Sequence, residues 1–260
     1  MKNTLKSFFA LGNILSMMSC EIVPDEEDFS EFQVEPLYTF NQLLLKAVPS
    51  ENKPNRVTVY QLDSFINHKD IYYDSQGNEL FNVYFNESLD TTGIALYVYS
   101  DNLLLEKNAY TKGVTGYKLT TTLKYLYNPD RSLHQITREG INHMLYNYND
   151  EGLVSEIVLG PNVNDAEVYY FFYDENGRIT RQIWGVSDQQ ESPIRDWHYI
   201  YDASGKLISK SIPVFSIDNL KPMFVYSYDD QDRMIEELAL YPEYGFSPYF
   251  KTTYSYSQQN

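Results

Sequence analysis

Any chemistry in this chain would have to come from four histidines, a large set of carboxylates, two tryptophans and one cysteine. His68, His134, His143 and His198 lack the close partner spacing of a metal site, and His134 and His143 have no matching carboxylates beside them. They read as ordinary strand or loop residues. The single Cys20 excludes an intramolecular disulfide and a thiolate zinc site. Asp and Glu total 36, so some pair will fall at the separation a glycosidase needs. Most of these acids have another explanation, because Asp74, Asp174, Asp202 and Asp229 each follow a tyrosine directly, where a turn would begin. Clustered turn carboxylates suggest Ca²⁺, but no twelve-residue calcium loop or tandem nonapeptide accompanies them. Gly-x-Ser-x-Gly, phosphate-loop and dinucleotide motifs are absent. The sequence therefore predicts a protein without catalysis or cofactor; a hydrolase built on an Asp/Glu pair is the alternative from another class. Trp184 and Trp197 are the candidates for ligand contact, since an indole face can stack on a sugar ring.

The elements that would position these residues come from one repeated unit. It is clearest at Phe171-Phe-Tyr-Asp-Glu-Asn-Gly-Arg-Ile179: an aromatic strand, a polar turn ending in glycine, then a strand opening on an apolar residue. Aligned on the tyrosine before the turn, the unit recurs at Tyr73, Tyr99, Tyr127, Tyr148, Tyr173, Tyr201, Tyr228 and Tyr256, at intervals of 21 to 28 residues. An aromatic stands two residues earlier in every unit but the first, which has Ile71. Side chains on a strand alternate with period two, so Tyr-x-Tyr puts both rings on one face. The following Asp or Asn can bond its own backbone ahead, and Gly four residues after the tyrosine supplies the positive φ of a hairpin with a type I turn and a bulge. The units at Tyr99 and Tyr127 lack that glycine. Sustained 3.6-residue apolar periodicity is missing from Asn55 onward, and prolines such as Pro161, Pro193, Pro213, Pro222 and Pro242 punctuate the connections. The fold class is all-β: an antiparallel meander of about 14–16 strands, curled into an open or partial barrel. Rows of tyrosine along such a sheet have two readings, a ladder that packs rung on rung or a face that recognises a glycan or peptide.

Composition agrees. The 260 residues include 25 Tyr and 14 Phe, types that favour strands and half-wet surfaces. The formal charge is −16, and residues 1–19 carry only Lys2 and Lys6, so the chain from Cys20 onward is at −18 (−16 − 2). Such a field repels nucleic acid and anionic membrane surfaces. Residues 1–19 join a basic start to a short apolar run and small residues, as a secretory leader does. With Ser19 before Cys20, this leader resembles a bacterial lipoprotein signal, which implies lipidation of Cys20. Asn13 within the apolar run and Met17 three residues before the cysteine depart from that pattern. The run Glu21-Ile-Val-Pro-Asp-Glu-Glu-Asp28 resembles the export signal of surface lipoproteins in the Bacteroides group; as composition alone it is a solvated acidic tether.

The pattern Tyr-x-Tyr-Asp-x-x-Gly-Arg-Ile resembles the tyrosine–aspartate repeats of Rhs-type proteins. Combined with the leader, the chain resembles a family of Bacteroides-group lipoproteins of unknown function, with loose tyrosine–aspartate repeats and a porin-like β fold. The resemblance covers about residues 57–260 and carries no catalytic residues. It implies a lipid-anchored protein of the outer membrane facing the cell exterior. The expected organisation is a leader over 1–19, an acidic tether and entry segment over 20–56, and a hairpin-repeat domain over 57–260. A barrel that itself spans the bilayer is disfavoured, because Glu156, Arg181, Lys210 and Glu237 interrupt the return strands where an outward apolar row would be needed.

Overall fold

The computed structural model describes Ala47, Ser50 and residues 52–160, 166–186, 194–214, 216–242 and 245–256. Cys20, the leader, most of the tether, Pro161, Pro193 and the last four residues lie outside them. Sixteen strands follow in chain order. They are β1 (Arg56–Gln61), β2 (Ser64–Tyr73), β3 (Glu79–Phe85), β4 (Thr91–Ser100), β5 (Leu103–Gly113), β6 (Gly116–Tyr127), β7 (Leu133–Arg138) and β8 (Ile141–Tyr148). The second half continues with β9 (Val154–Leu159), β10 (Glu167–Tyr173), β11 (Ile179–Val186), β12 (Arg195–Tyr201), β13 (Leu207–Val214), β14 (Ser216–Tyr228), β15 (Met234–Tyr241) and β16 (Ser247–Ser255). Every strand pairs with its neighbours in sequence, and β1 pairs with β16 from Arg56↔Ser255 to Gln61↔Phe250, so the meander is a closed barrel. An open or partial barrel would leave two rows of edge N–H and C=O groups unpaired; closure satisfies both.

In a meander of this kind the seven turns that follow an anchor tyrosine all lie at one end, and Tyr256 ends the last strand there. The turn at Asp174 shows their chemistry. Its carboxylate accepts the backbone N–H groups of Asn176 and Arg178, both at 2.9 Å. The Gly177 N–H closes onto the Asp174 carbonyl at 2.9 Å, with Gly177 at φ +71°. A register shift after Phe172 marks the bulge that this turn sets up. Asp74, Asn149, Asp202 and Asp229 repeat the arrangement. Where glycine is missing, Arg131 and Asp232 hold the positive φ, at +71° and +64°. The Tyr99 unit departs further. Ser100 pairs directly with Leu103 across Asp101 and Asn102, both at positive φ, which is a two-residue turn of type I′.

The anchor tyrosines point inward and link one hairpin to the next. Tyr127, Tyr148, Tyr173, Tyr201, Tyr228 and Tyr256 donate their hydroxyls to the carbonyls of Leu104, Leu133, Val154, Ile179, Leu207 and Met234, at 2.5 to 2.8 Å. Each acceptor is the first residue of the return strand of the preceding unit, except Leu104, the second residue of β5. Tyr73 does the same to Pro54 just before β1, at 2.9 Å. The residue ahead of the acceptor covers the ring: Arg178 lies 4.8 Å over Tyr201 and Arg233 4.5 Å over Tyr256. The tyrosines thus pack as a ladder that also carries hydrogen bonds.

The two walls differ in polarity. Between β6 and β13 the inner face holds the main apolar core, with Ile136, Met144, Tyr146, Ile157, Phe171 and Tyr199 at its centre. The outer face carries the bidentate ion pairs Arg56–Asp70 and Arg181–Asp196. Two outer patches are buried: Val158, Ala166 and Val168 on one side of the wall, and a second on β3 and β4. Phe81 (0% exposed), Val83, Ile94 and Leu96 face outward on β3 and β4, and Ala47 packs against them, so chain preceding β1 lies on the outside there. Of the four charges expected to break an outer apolar row, Glu156 and Arg181 do face out. Lys210 and Glu237 face in, because Lys210 pairs with Tyr199 and Glu237 with Tyr226, both inner-wall residues.

Candidate functional site

The inner wall rises in tiers from the tyrosine–aspartate end. The first tier holds the anchor tyrosines and the residues that open the return strands: Glu79, Leu104, Leu133, Val154, Ile179, Leu207 and Met234. The second tier holds the residue two before each anchor and, across the ladder from it, the residue three beyond each opener. The register fixes these pairs as Ile71↔Asn82, Tyr97↔Lys107, Tyr125↔Ile136, Tyr146↔Ile157, Phe171↔Gln182, Tyr199↔Lys210 and Tyr226↔Glu237. Five of the seven return-strand positions are polar or charged. Asn82 and Gln182 are each 1% exposed and Glu237 is buried as well. Buried polar groups on the inside of a barrel need partners, and the aromatics of the same tier supply most of them.

Two copies of one arrangement result. In the first, the Asn82 amide donates to the Tyr97 hydroxyl at 2.9 Å, and the Lys107 ammonium lies 5.6 Å from the centre of the Tyr97 ring. In the second, the Gln182 carbonyl accepts the Tyr199 hydroxyl at 2.6 Å, and the Lys210 ammonium lies 5.2 Å from the Tyr199 ring. Each is an amide, a tyrosine and a lysine on three consecutive inward-facing strands. Lys210 also sits 4.4 Å from the Trp197 ring and 6.0 Å from Phe224, so three rings surround it. Burial lowers its pKa to about 8 against the opposing pull of Glu237. Burial in turn raises Glu237, opposed by Lys210 and by a hydrogen bond with Tyr226. Lys107 is lowered by burial and by the neighbouring Lys69 charge, with Glu79 pulling the other way. Tyr97 and Tyr199 are both pushed well up by burial.

Both candidate tryptophans are on this wall, in the tier beyond. Trp184 stacks on Tyr169 at 6.0 Å and donates its indole N–H to Glu167 at 3.2 Å. Trp197 stands two residues before Tyr199 and forms one side of the Lys210 box. The register pairs Trp197 with Gln182 and Trp184 with Arg195 on adjacent strands.

The histidines gather no such site. His68 stacks on Phe85 at 4.4 Å on the outer wall, with its pKa lowered by burial first and by Arg56 second. His198 is also on the outer face, 3.2 Å from Asp196, and that carboxylate is engaged by Arg181 at 2.7 and 2.8 Å. Its cross-strand neighbour is Ser211. An aspartate already held by a guanidinium in bidentate fashion is a poor orienter for a nucleophilic triad. Among the described residues there is no group of three or more His, Cys, Asp or Glu placed to hold a metal. The carboxylates of the first two inner tiers, Glu79 and Glu237, are four strands apart along the wall. At ordinary strand spacing that is about 19 Å, against roughly 5–9.5 Å for a glycosidase pair. Cys20 lies outside the described residues.

No protein-family model matches this chain, and no match is found among curated protein sequences. Among solved structures, a porin-like protein from Bacteroides uniformis aligns over 80% of this chain and 99% of its own, at 10% identity and a TM-score of 0.31. The Photorhabdus luminescens Tc holotoxin pore aligns over 70% of this chain, with the same identity and TM-score. The chain spans 13% of that toxin's length. At similarity of that level the architecture stands on its own strand pairing.

Proposed function

We propose that this β-repeat barrel is a binding module that performs no catalysis, tethered to the outer membrane through a lipid on Cys20 and facing the cell exterior. Its inner wall recognises a glycan or a peptide. The observation that carries the reading is the second inner tier: a wall whose only task was to hold the sheet together would be filled with apolar side chains, as Ile136 and Ile157 fill theirs. Instead Asn82, Lys107, Gln182, Lys210 and Glu237 occupy the equivalent positions, beside tyrosines and two tryptophans. Hydrogen-bonding groups set among aromatic faces are the usual equipment of a saccharide or peptide site. The spacing of Glu79 and Glu237 supports the reading without hydrolysis.

Two experiments test it. A glycan array probed with wild type, Trp184→Ala and Trp197→Ala proteins should give binding that one of the tryptophan variants loses, and a flat array would leave only a structural role. Metabolic labelling with an alkyne fatty acid should mark the wild type and leave Cys20→Ala unmarked. Equal labelling of the two would remove the anchor.

A further inference from the structure

The two equivalent arrangements on the inner wall differ in what remains for a ligand to do. In the Gln182–Tyr199–Lys210 copy the groups satisfy each other. Tyr199 gives its proton to the Gln182 carbonyl at 2.6 Å, and three rings enclose the Lys210 ammonium with Glu237 facing it. In the Asn82–Tyr97–Lys107 copy the tyrosine ring and an opposing carboxylate, Glu79, are kept, but the hydrogen bond is reversed and two of the three rings are missing. Asn82 donates to Tyr97, so the Tyr97 proton is left over. The Asn82 side-chain oxygen is buried and has no hydrogen-bond partner. The Glu79 carboxylate, 3.2 Å from the Asn82 nitrogen, fixes that orientation, since exchanging nitrogen and oxygen would set oxygen against oxygen. The Trp197 position is taken by Ala95 and the Phe224 position by Leu123, so Lys107 has one ring against it where Lys210 has three. A second lysine, Lys69, is on the same inner wall, opposite Tyr84 and three strands from Lys107, and its charge also lowers the Lys107 pKa. Among the described residues neither Lys69 nor Lys107 has an ion pair, although the chain as a whole carries −16.

Resting on the binding-module reading, we propose that the Lys107 site takes an acidic saccharide. The carboxylate or sulfate of the sugar lies against Lys107 and Lys69, a ring hydroxyl donates to the orphaned oxygen of Asn82, and the Tyr97 hydroxyl donates to the ligand. Two ammonium groups offset by one carboxylate, Glu79, leave a net positive charge that asks for an oxyanion, and a buried unpaired carbonyl oxygen asks for an O–H or N–H donor. A free inorganic anion supplies the first alone. A uronic acid or sulfated sugar supplies both. The Lys210 copy is an internal control: same strands of the repeat, same residue types, ligand functions already filled by protein.

The test is titration of the full chain with D-glucuronate, D-glucose and sodium sulfate, followed by calorimetry and by the Cε resonances of the lysines. Glucuronate is expected to shift the Lys107 and Lys69 signals, to leave Lys210 still, and to bind at least about tenfold more tightly than glucose or sulfate. Lys107→Met keeps the apolar stem and should lose about tenfold or more in glucuronate affinity, Lys107→Arg should retain it, and Lys210→Met should leave it unchanged. Asn82→Leu should erase the preference for glucuronate over sulfate, with thermal midpoints confirming that each variant is folded. Sulfate binding as tightly as glucuronate would overturn the saccharide assignment. Glucuronate and glucose binding alike, with Lys107→Met inert, would overturn the acidic-sugar site while the glycan reading stood. Silence from all three probes would also overturn this site; the wider reading would fall only if the glycan array were flat as well.

Discussion

A tyrosine hydroxyl that donates to the carbonyl opening the previous return strand does two things at once. It satisfies its own burial, and it ties each hairpin to its neighbour beyond the ladder bonds. Tyr173→Phe removes the donor from the Val154 carbonyl and leaves the ring in place. The expected loss is about 1–1.5 kcal/mol, read as a lower urea midpoint at unchanged slope; an unchanged midpoint would show that the ring alone matters. Lys210 predicts a pH effect of definite sign. Its folded pKa is lowered from 10.5 to about 8 by burial among rings, so the unfolded chain holds the proton more firmly. Between pH 8 and about 10 unfolding takes up a proton and stability rises with pH, by about 3 kcal/mol if the whole shift is expressed. Above pH 10 the tyrosines reverse the trend. Burial raises the folded pKa of Tyr169, Tyr201 and Tyr228 to about 12 and of Tyr146 and Tyr199 further, so stability is lost as pH climbs through those values. Chemical denaturation from pH 7 to 11 should show a maximum near pH 9–10 in wild type, and Lys210→Met should lose the rising limb. A maximum between pH 5 and 8 in both would refute the burial of that ammonium.

At the scale of the hairpin, the turn was legible in the sequence because its chemistry is local. Asp174 and Gly177 are three residues apart, and both their roles follow from backbone geometry that any neighbouring context would accept. The second inner tier was not legible. Its position recurs with the same regularity, but the residues there are Asn, Lys, Ile, Ile, Gln, Lys and Glu, so residue identity does not reveal the period. Only the register, with a bulge displacing the count by one on every return strand, puts Asn82 and Gln182 on the same ring as Tyr97 and Tyr199. Closure was out of reach for a different reason: β1 and β16 are adjacent only in space, and nothing in Val57 or Tyr254 alone names the other. The pairing predicts a clear consequence. Ending the chain at Tyr241 removes β16 and exposes the edges of β1 and β15, so the truncated protein should form oligomers or precipitate by light scattering while the intact chain stays monodisperse. A monodisperse truncation would mean that the sheet does not depend on being closed.

For the whole molecule, the distribution of polarity over its walls supports the proposal of a lipid-tethered barrel. A spanning barrel presents an apolar band about 25 Å tall to lipid and keeps its polar side chains within. Here the largest apolar cluster is inside, between β6 and β13. Outside, Arg56–Asp70 and Arg181–Asp196 stand where lipid would be, and Ala47 packs onto part of the outer wall. Apolar side chains do reach the outer surface, among them Val98, Leu126, Phe172, Ile208 and Ile235. They sit close to the turn end, next to or just across from the anchor tyrosines, and Arg181 stands among them, paired with Phe172 across the ladder. Farther along the wall Val83, Ile94, Leu96, Val158 and Val168 also face outward, so the outer surface is an apolar row broken by ion pairs, where a spanning barrel needs an uninterrupted one. With a net charge of −18 from Cys20 onward, the domain is also repelled by anionic lipid surfaces. A chain begun at Glu21 should therefore purify without detergent, elute as a single species, and remain in the supernatant when spun with phosphatidylglycerol-containing vesicles. The acylated protein should sediment with the same vesicles, because the lipid would supply the attachment that the outer wall does not. Pelleting of the unacylated chain with vesicles would overturn this account of the outer wall and return the barrel to the membrane interior.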